Sequence, residues 1–227
     1  MSELTGLDLT GTTLRERDDV GAGPHRLVGC DLSGADLREL DLGGWQFVGC
    51  TLDDARLHRV TADEASWTGG SARRAQFVDA DLTSARFDDV DGSDARFTGS
   101  LTTGAVFEGC RLMGAGFART RGLGTQFLRC NLYAADLTGV VLAGVPLTGL
   151  RLTEAVLRGA DLHGSDLSGA ELLHADLFDA DLTGADLRGA DLGELDLDGL
   201  RALRGAVITP AQACRLVEGL TGVTVVE

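Results

Sequence analysis

The sequence predicts an all-β solenoid coiled from five-residue turns, and two observations predict it. The first is a period of five. From Leu27 in steps of five to Leu197 there are 35 positions, and 30 of them hold Leu, Phe or Trp; the exceptions are Ala62, Ala72, Gly92, Thr102 and Gly122. These three residue types make up 47 of the 227 residues, so chance would fill about seven of the positions. The second observation is a small residue two places before most central ones: Cys30, Ala35, Cys50, Ala55, Ala65, Ala75 and on through Ala190, with Leu40, Trp45 and Leu150 among the exceptions. A period of five matches neither a helix at 3.6 nor a strand at 2.0, whereas a turn at every fifth residue sends the same position inward each time. The third residue of a type II turn needs positive φ, and Gly holds that site in 19 of the 35 repeats.

The recurring unit is A-D-L-x-G, as in Ala160-Asp161-Leu162-His163-Gly164 and Ala185-Asp186-Leu187-Arg188-Gly189. In this unit the chain resembles the pentapeptide repeat proteins, in one frame over residues 25 to about 207. The resemblance implies a right-handed quadrilateral parallel β-helix of about nine coils, four repeats to a coil. The central residue and the small one before it then fill the interior, and the other three face solvent. Four repeats make a vertical period of twenty, which the sequence itself supports. Ala35, Ala55, Ala75, Ala95, Ala115, Ala135, Ala155 and Ala175 form an unbroken column. The seven in-frame Phe fall on two opposite faces, Phe47, Phe87, Phe107 and Phe127 with Trp67 on one and Phe77, Phe97 and Phe117 on the other, while the five small exceptions lie on the remaining two. A tube of fixed width has to alternate bulky and small residues in this way. From Leu137 to Leu197 every central residue is Leu.

Three segments follow. Residues 1–24 read as a partial coil carrying Leu4, Leu9 and Leu14 out of phase with Leu27, then a polar loop from Arg15 to Pro24. Residues 25–207 form the β-helix. Residues 208–227 read as a C-terminal helix and tail: Thr209-Pro210-Ala211-Gln212 is a helix start, with Thr as cap, Pro at the first helical position and Gln three after the cap. Thr221-Gly222 supplies the stop, and Val223–Val226 reads as a short apolar strand. In the gyrase-protecting members that the chain resembles, such a helix and tail join two rods end to end. The resemblance thus implies a homodimer through Leu216, Val217, Leu220, Val223, Val225 and Val226, against the alternative of a helix that only caps one rod.

The formal net charge is −15, and all 20 cationic residues are Arg. A phosphate surface would repel such a chain, which excludes direct binding to nucleic acid or an anionic membrane. No run of eighteen apolar residues exists and Met1-Ser2-Glu3-Leu4 carries an acid where a secretion signal needs base, so the expected location is the cytoplasm. The charge is concentrated. Residues 161–200 hold 11 acids and Arg188 alone, a net −10. The outward position after the small residue reads Asp161, Asp166, Glu171, Asp176, Asp181, Asp186, Asp191 and Asp196. Two coils then carry about five net charges per layer, against roughly 2.8 for a 4.8 Å rise of duplex DNA.

This acidic belt suits a duplex mimic, and the resemblance implies binding to DNA gyrase or topoisomerase IV with protection against quinolone-type poisons or a self-made toxin. Two bland readings stand beside it. Asp favours turns and keeps a rod soluble, so the belt alone carries little information and fits a structural protein with no partner beyond itself; the Arg-rich middle (Arg111, Arg119, Arg121, Arg129, Arg151) could instead serve a scaffold for another partner. No cofactor, metal site or enzyme is expected. Cys30, Cys50, Cys110 and Cys130 read as small filler on one face; His58, His163 and His174 point outward from separate repeats, and Ser165 is buried away from any base.

Overall fold

The structure, a computed structural model, describes residues 2–13 and 23–226. Seven short strands form one parallel sheet in chain order: β1 (Ser2–Thr5), β2 (His25–Val28), β3 (Gln46–Val48), β4 (Ser66–Thr68), β5 (Arg86–Asp88), β6 (Val106–Glu108) and β7 (Gln126–Leu128). From β2 onward each strand pairs with the one twenty residues later, as Phe47 does with Trp67. The other three faces are ladders of single bridges with the same spacing, for example Asp31↔Thr51↔Ser71, Asp36↔Arg56↔Gln76 and Asp41↔Thr61↔Asp81. This is the quadrilateral parallel β-helix. Its backbone groups are met in two ways: each turn closes locally, as Ala35 N–H to Leu32 O at 3.0 Å, and each coil donates to the next, as Leu32 N–H to Thr51 O at 2.7 Å.

The turn position is set by the fold and not by glycine. Among the described residues, fifteen other than Gly have positive φ, Glu39 (+60°), Arg59 (+54°), Ala134 (+52°) and His174 (+57°) among them, and all fifteen stand where other repeats carry Gly. Inside, the two aromatic columns stack along the rod. Phe47, Trp67, Phe87, Phe107 and Phe127 lie 4.4–5.3 Å apart. Phe77, Phe97 and Phe117 follow at 5.0 and 4.6 Å. Across the tube they meet edge to face, 5.0–5.7 Å apart, a geometry that ring quadrupoles favour. The Ala column is buried at seven of its eight members and half-buried at Ala175.

At the N-terminal end β1 pairs with β2 at a step of 23 residues, Leu4 against Leu27, which is why Leu4 and Leu9 stand out of phase. Leu14 and the expected loop, apart from Gly23 and Pro24, fall outside the described residues.

The C-terminal end departs from the expected frame. Leu192 is the last inward Leu; Leu197 is 61% exposed because the chain turns there into a short helix, α1 (Leu197–Ala202), capped by the Asp196 side chain. The ladder is then rejoined one residue late. Asp186 pairs with Val207, not with the residue twenty ahead, so Ala206 takes the small position and Val207, 47% exposed, the outward one. Helix α2 (Pro210–Thr221) follows with both bonds of its capping box present and Gly222 in the left-handed conformation. The tail after it is not a strand: among the described residues it pairs with none, and Val225 N–H donates to Glu218 Oε1 at 2.9 Å.

Candidate functional site

The predicted belt residues come from the last repeats, and the coil sets them in columns. Asp161 pairs with Asp181, Asp166 with Asp186 and Glu171 with Asp191, each directly above the other in parallel register. Like charges in register repel. The lower rod holds two such pairs, Asp8 over Asp31 and Asp88 over Glu108, but Arg meets more of its acids: Asp36 and Asp91 sit beside Arg56 and Arg111 in the next coil, Arg74 bridges back to Asp54, and Arg129 and Arg86 meet Glu108. In residues 161–200 the Arg partners are fewer. Arg151 meets Glu171, Arg158 meets Asp176, Arg188 meets Asp186 and Arg201 meets Asp198. Among the described residues, Asp166, Asp179, Asp181, Asp191, Glu194 and Asp196 have no ion pair with Arg.

Each belt Asp also has a local task. Its Oδ1 accepts the N–H two residues on, from His163 to Asp161, Ser168 to Asp166, Phe178 to Asp176, Thr183 to Asp181, Arg188 to Asp186 and Gly193 to Asp191. Asp31, Asp81 and Asp136 in the lower rod do the same, and so does Asn131. The turn therefore needs an oxygen, not a charge. These bonds favour the ionised form: Ser168 and Thr183 lower the pKa of Asp166 and Asp181, and Arg188 holds Asp186 at about 2. Asp196, expected as one more outward acid, is drawn into capping α1 through Asp198 N–H and Gly199 N–H.

The side chains expected at a dimer contact lie on α2 and its tail. Val217, Leu220, Val223, Val225 and Val226 are exposed, while Leu216 packs partly against the core. Sequence reasoning missed the anchor of this helix. Gln212 is buried, and its Nε2 donates to Ala190 O at 2.9 Å, the carbonyl that a further coil would have met, and to Leu187 O at 2.7 Å, which also accepts the turn bond from Ala190 N–H. Its cap signature was visible; its reach down onto the coil was not.

A model of the family described as pentapeptide repeats matches residues 26–54, 130–169 and 155–193, in eight copies. Over these residues the chain carries the repeats of the pentapeptide repeat family. Among solved structures, a trypsin-treated form of QnrB1, a plasmid-mediated fluoroquinolone resistance protein, is 25% identical over 100% of both chains, with a TM-score of 0.72. Full-length QnrB1 is also 25% identical, over 95% of this chain and 98% of its own, with a TM-score of 0.67. HetL, a pentapeptide repeat protein involved in heterocyst differentiation regulation from the cyanobacterium Nostoc, is 28% identical over 91% and 89%, at 0.40. No curated protein matches the sequence significantly.

As in the repeat pattern, the four in-frame Cys fill the interior. Cys30, Cys50, Cys110 and Cys130 are free and buried, and their thiols donate to carbonyls such as Phe87 O and Phe107 O. The hydrogen bond with Cys130, together with burial, pushes the Cys110 thiol up, and burial pushes up Cys50. Such thiols are inert. His25 is buried against Trp45 at 4.6 Å. Partial burial and the charges of Arg38, Arg59 and Arg56 lower the pKa of His58. Coil stacking brings Asp161, His163 and Asp181 together, ligand atoms within 4.8 Å of one another, which spacing along the chain does not reveal. No helix among the described residues is long and apolar enough to cross a membrane.

Proposed function

We propose that this protein is a duplex mimic that binds DNA gyrase or topoisomerase IV in the channel where DNA would lie, and so guards the enzyme against a quinolone-type poison or a toxin of the producing cell. The observation that carries the reading is the set of acid pairs stacked in register, Asp161 over Asp181, Asp166 over Asp186 and Glu171 over Asp191. A turn-forming role needs only an oxygen at each site, and Asn131 fills it without charge. The repulsion is thus in excess of what the fold requires, and a basic channel would relieve it. The likeness to QnrB1 over the whole chain adds support.

The mode of action is binding, without chemistry. A second copy joined through α2 and the tail would set two acidic sections next to each other at the centre of a double-length rod, presenting a continuous negative surface.

A supercoiling assay with purified gyrase tests this reading. The wild-type protein is expected to inhibit supercoiling, or restore it in the presence of a quinolone, at micromolar concentration. The variant with Asp166, Asp181, Asp186 and Asp191 all changed to Asn keeps its turn oxygens and its fold, and is expected to lose the effect. Inhibition should also fall steeply as salt rises. Failure of the wild-type protein to bind or influence either enzyme sinks the proposal.

A further inference from the structure

We infer that the acidic end carries a specific docking point, the side chain of Phe178 beneath α1, and that it receives a basic segment of a partner protein bearing an aromatic or aliphatic anchor. The inference rests on reading the acidic end as a partner-binding surface, but not on the partner being a topoisomerase. Phe178 is the one Phe outside the five-residue frame. It occupies an outward site that holds Ser168, Leu173, Thr183 and Arg188 in neighbouring repeats, and it is 46% exposed. A side chain of this size left half in water on a charged rod has no role in the core, which is already filled behind it by Leu177.

Its surroundings define what would cover it. Had the repeat continued, the next coil would stack directly on this face. Instead the chain leaves as α1, and Phe178 stands between two clefts. One is lined by His174, Asp176, Glu194 and Asp196, the other by Asp179, Asp181, Asp198 and Arg204. Arg158 and Arg201 reach into these clefts but are already committed to Asp176 and Asp198. Asp179, Asp181, Glu194 and Asp196 keep their charge unmatched by Arg among the described residues. An acidic ring around an apolar centre is complementary to arginines or lysines flanking one apolar residue.

The molecule already contains a small version of this contact. The Arg158 guanidinium lies 5.7 Å from the centre of the Phe178 ring, in the range where a cation is drawn to an aromatic face. A partner arginine would meet the exposed remainder of the ring in the same way, while its aromatic or aliphatic neighbour packs against Phe178.

Two capped ten-residue peptides, one of arginine alone and one of arginine with two central tryptophans, are titrated against the full-length protein at physiological salt by fluorescence anisotropy. The tryptophan peptide is expected to bind about tenfold more tightly, and Phe178→Ser to remove that advantage while leaving the arginine peptide unchanged. Phe178 is outside the core, so the variant should fold, and its thermal melt is checked beside wild type. Equal affinity for the two peptides, or an advantage that survives in Phe178→Ser, overturns the proposal. The belt variant with four Asn separates this from the function proposed above. If it loses both peptides while Phe178→Ser loses nothing, the acidic surface is a binding surface without a docking point at Phe178. If neither gyrase nor topoisomerase IV responds yet the tryptophan preference depends on Phe178, the docking point stands and the partner is another basic protein.

Discussion

A side chain in the left-handed region clashes with its own backbone, and fifteen repeats accept that cost. Most of them carry Asp, Glu, Arg, Ser or His, whose polar groups reach solvent or a neighbour, as Arg59 does to Glu39 and Arg74 to Asp54. Ala134 has no such compensation at φ +52°. Ala134→Gly is therefore expected to raise the unfolding free energy by about 0.5–1 kcal/mol, after the larger chain entropy of Gly is allowed for. The neighbouring change Ala135→Gly, in the buried Ala column, should lower it. Denaturant melts of the two variants check the pair, and a destabilised Ala134→Gly would refute the strain argument. This is also where sequence reading reached furthest at single residues. The turn position was legible because Gly fills it in over half of the repeats, and the inward positions because Leu and Ala recur there. That Glu39 or His174 adopts the same φ as Gly was not legible, since it is the coil, acting through bonds to the layers above and below, that holds them there.

Between elements, the rod contains one opening that the unbroken five-residue frame conceals. On two adjacent faces the bridges Leu101↔Arg121 and Val141↔Asp161, and the pairing of β6 with β7 and Pro146↔Asp166, are present, but no bridge joins Arg121 to Val141 or Gln126 to Pro146. In the coils beside it, Thr102 N–H donates to Arg121 O, Gly104 N–H to Leu123 O and Asp161 N–H to Val140 O. The equivalent N–H groups of Gly122, Gly124 and Val141 meet no backbone acceptor among the described residues. Two causes are visible. Pro146 has no N–H to give, and Gly122 turns to φ +109°, where an added Cβ would lie 2.3 Å from Thr103 Oγ1, leaving Leu123 69% exposed. The opening coincides with the change from an aromatic to a leucine interior between Phe127 and Leu137, two packings of different width. Amide exchange at Gly122, Gly124 and Val141 should thus be at least tenfold faster than at Thr102, Gly104 and Asp161. Equal protection would mean that the seam is closed in solution. Pro146 and Gly122 were both readable beforehand, as a missing donor and a small exception; that they fall on adjacent faces of one coil boundary required the vertical register. The same limit hid α1, whose sequence continues the Leu period through Leu197 while a single inserted residue shifts the frame to Ala206-Val207-Ile208.

On the scale of the whole molecule, the two ends of the rod are finished differently. At the first end β1 and Leu9 lay a partial coil on β2. At the other, Gln212 satisfies the carbonyls of Leu187 and Ala190, while α2 turns Val217 and Leu220 outward and the tail leaves Val223, Val225 and Val226 in water. The last end is therefore capped in its polar groups and open in its apolar ones, an arrangement that suits a second copy more than solvent. Removing residues 209–227 would confuse the two roles, because it takes away Gln212 along with the apolar face. The sharper test leaves the cap intact. We expect the full-length protein to be a dimer by light scattering, Val217→Glu with Leu220→Glu to be a folded monomer with an unchanged β signature, and Gln212→Ala to lose about 1–3 kcal/mol of stability through the orphaned Ala190 carbonyl while still dimerising. A monomeric wild type, or a double Glu variant that remains dimeric, would remove the end-to-end rod. The acidic section would then act as two coils of one chain, and any duplex it imitates would be correspondingly short.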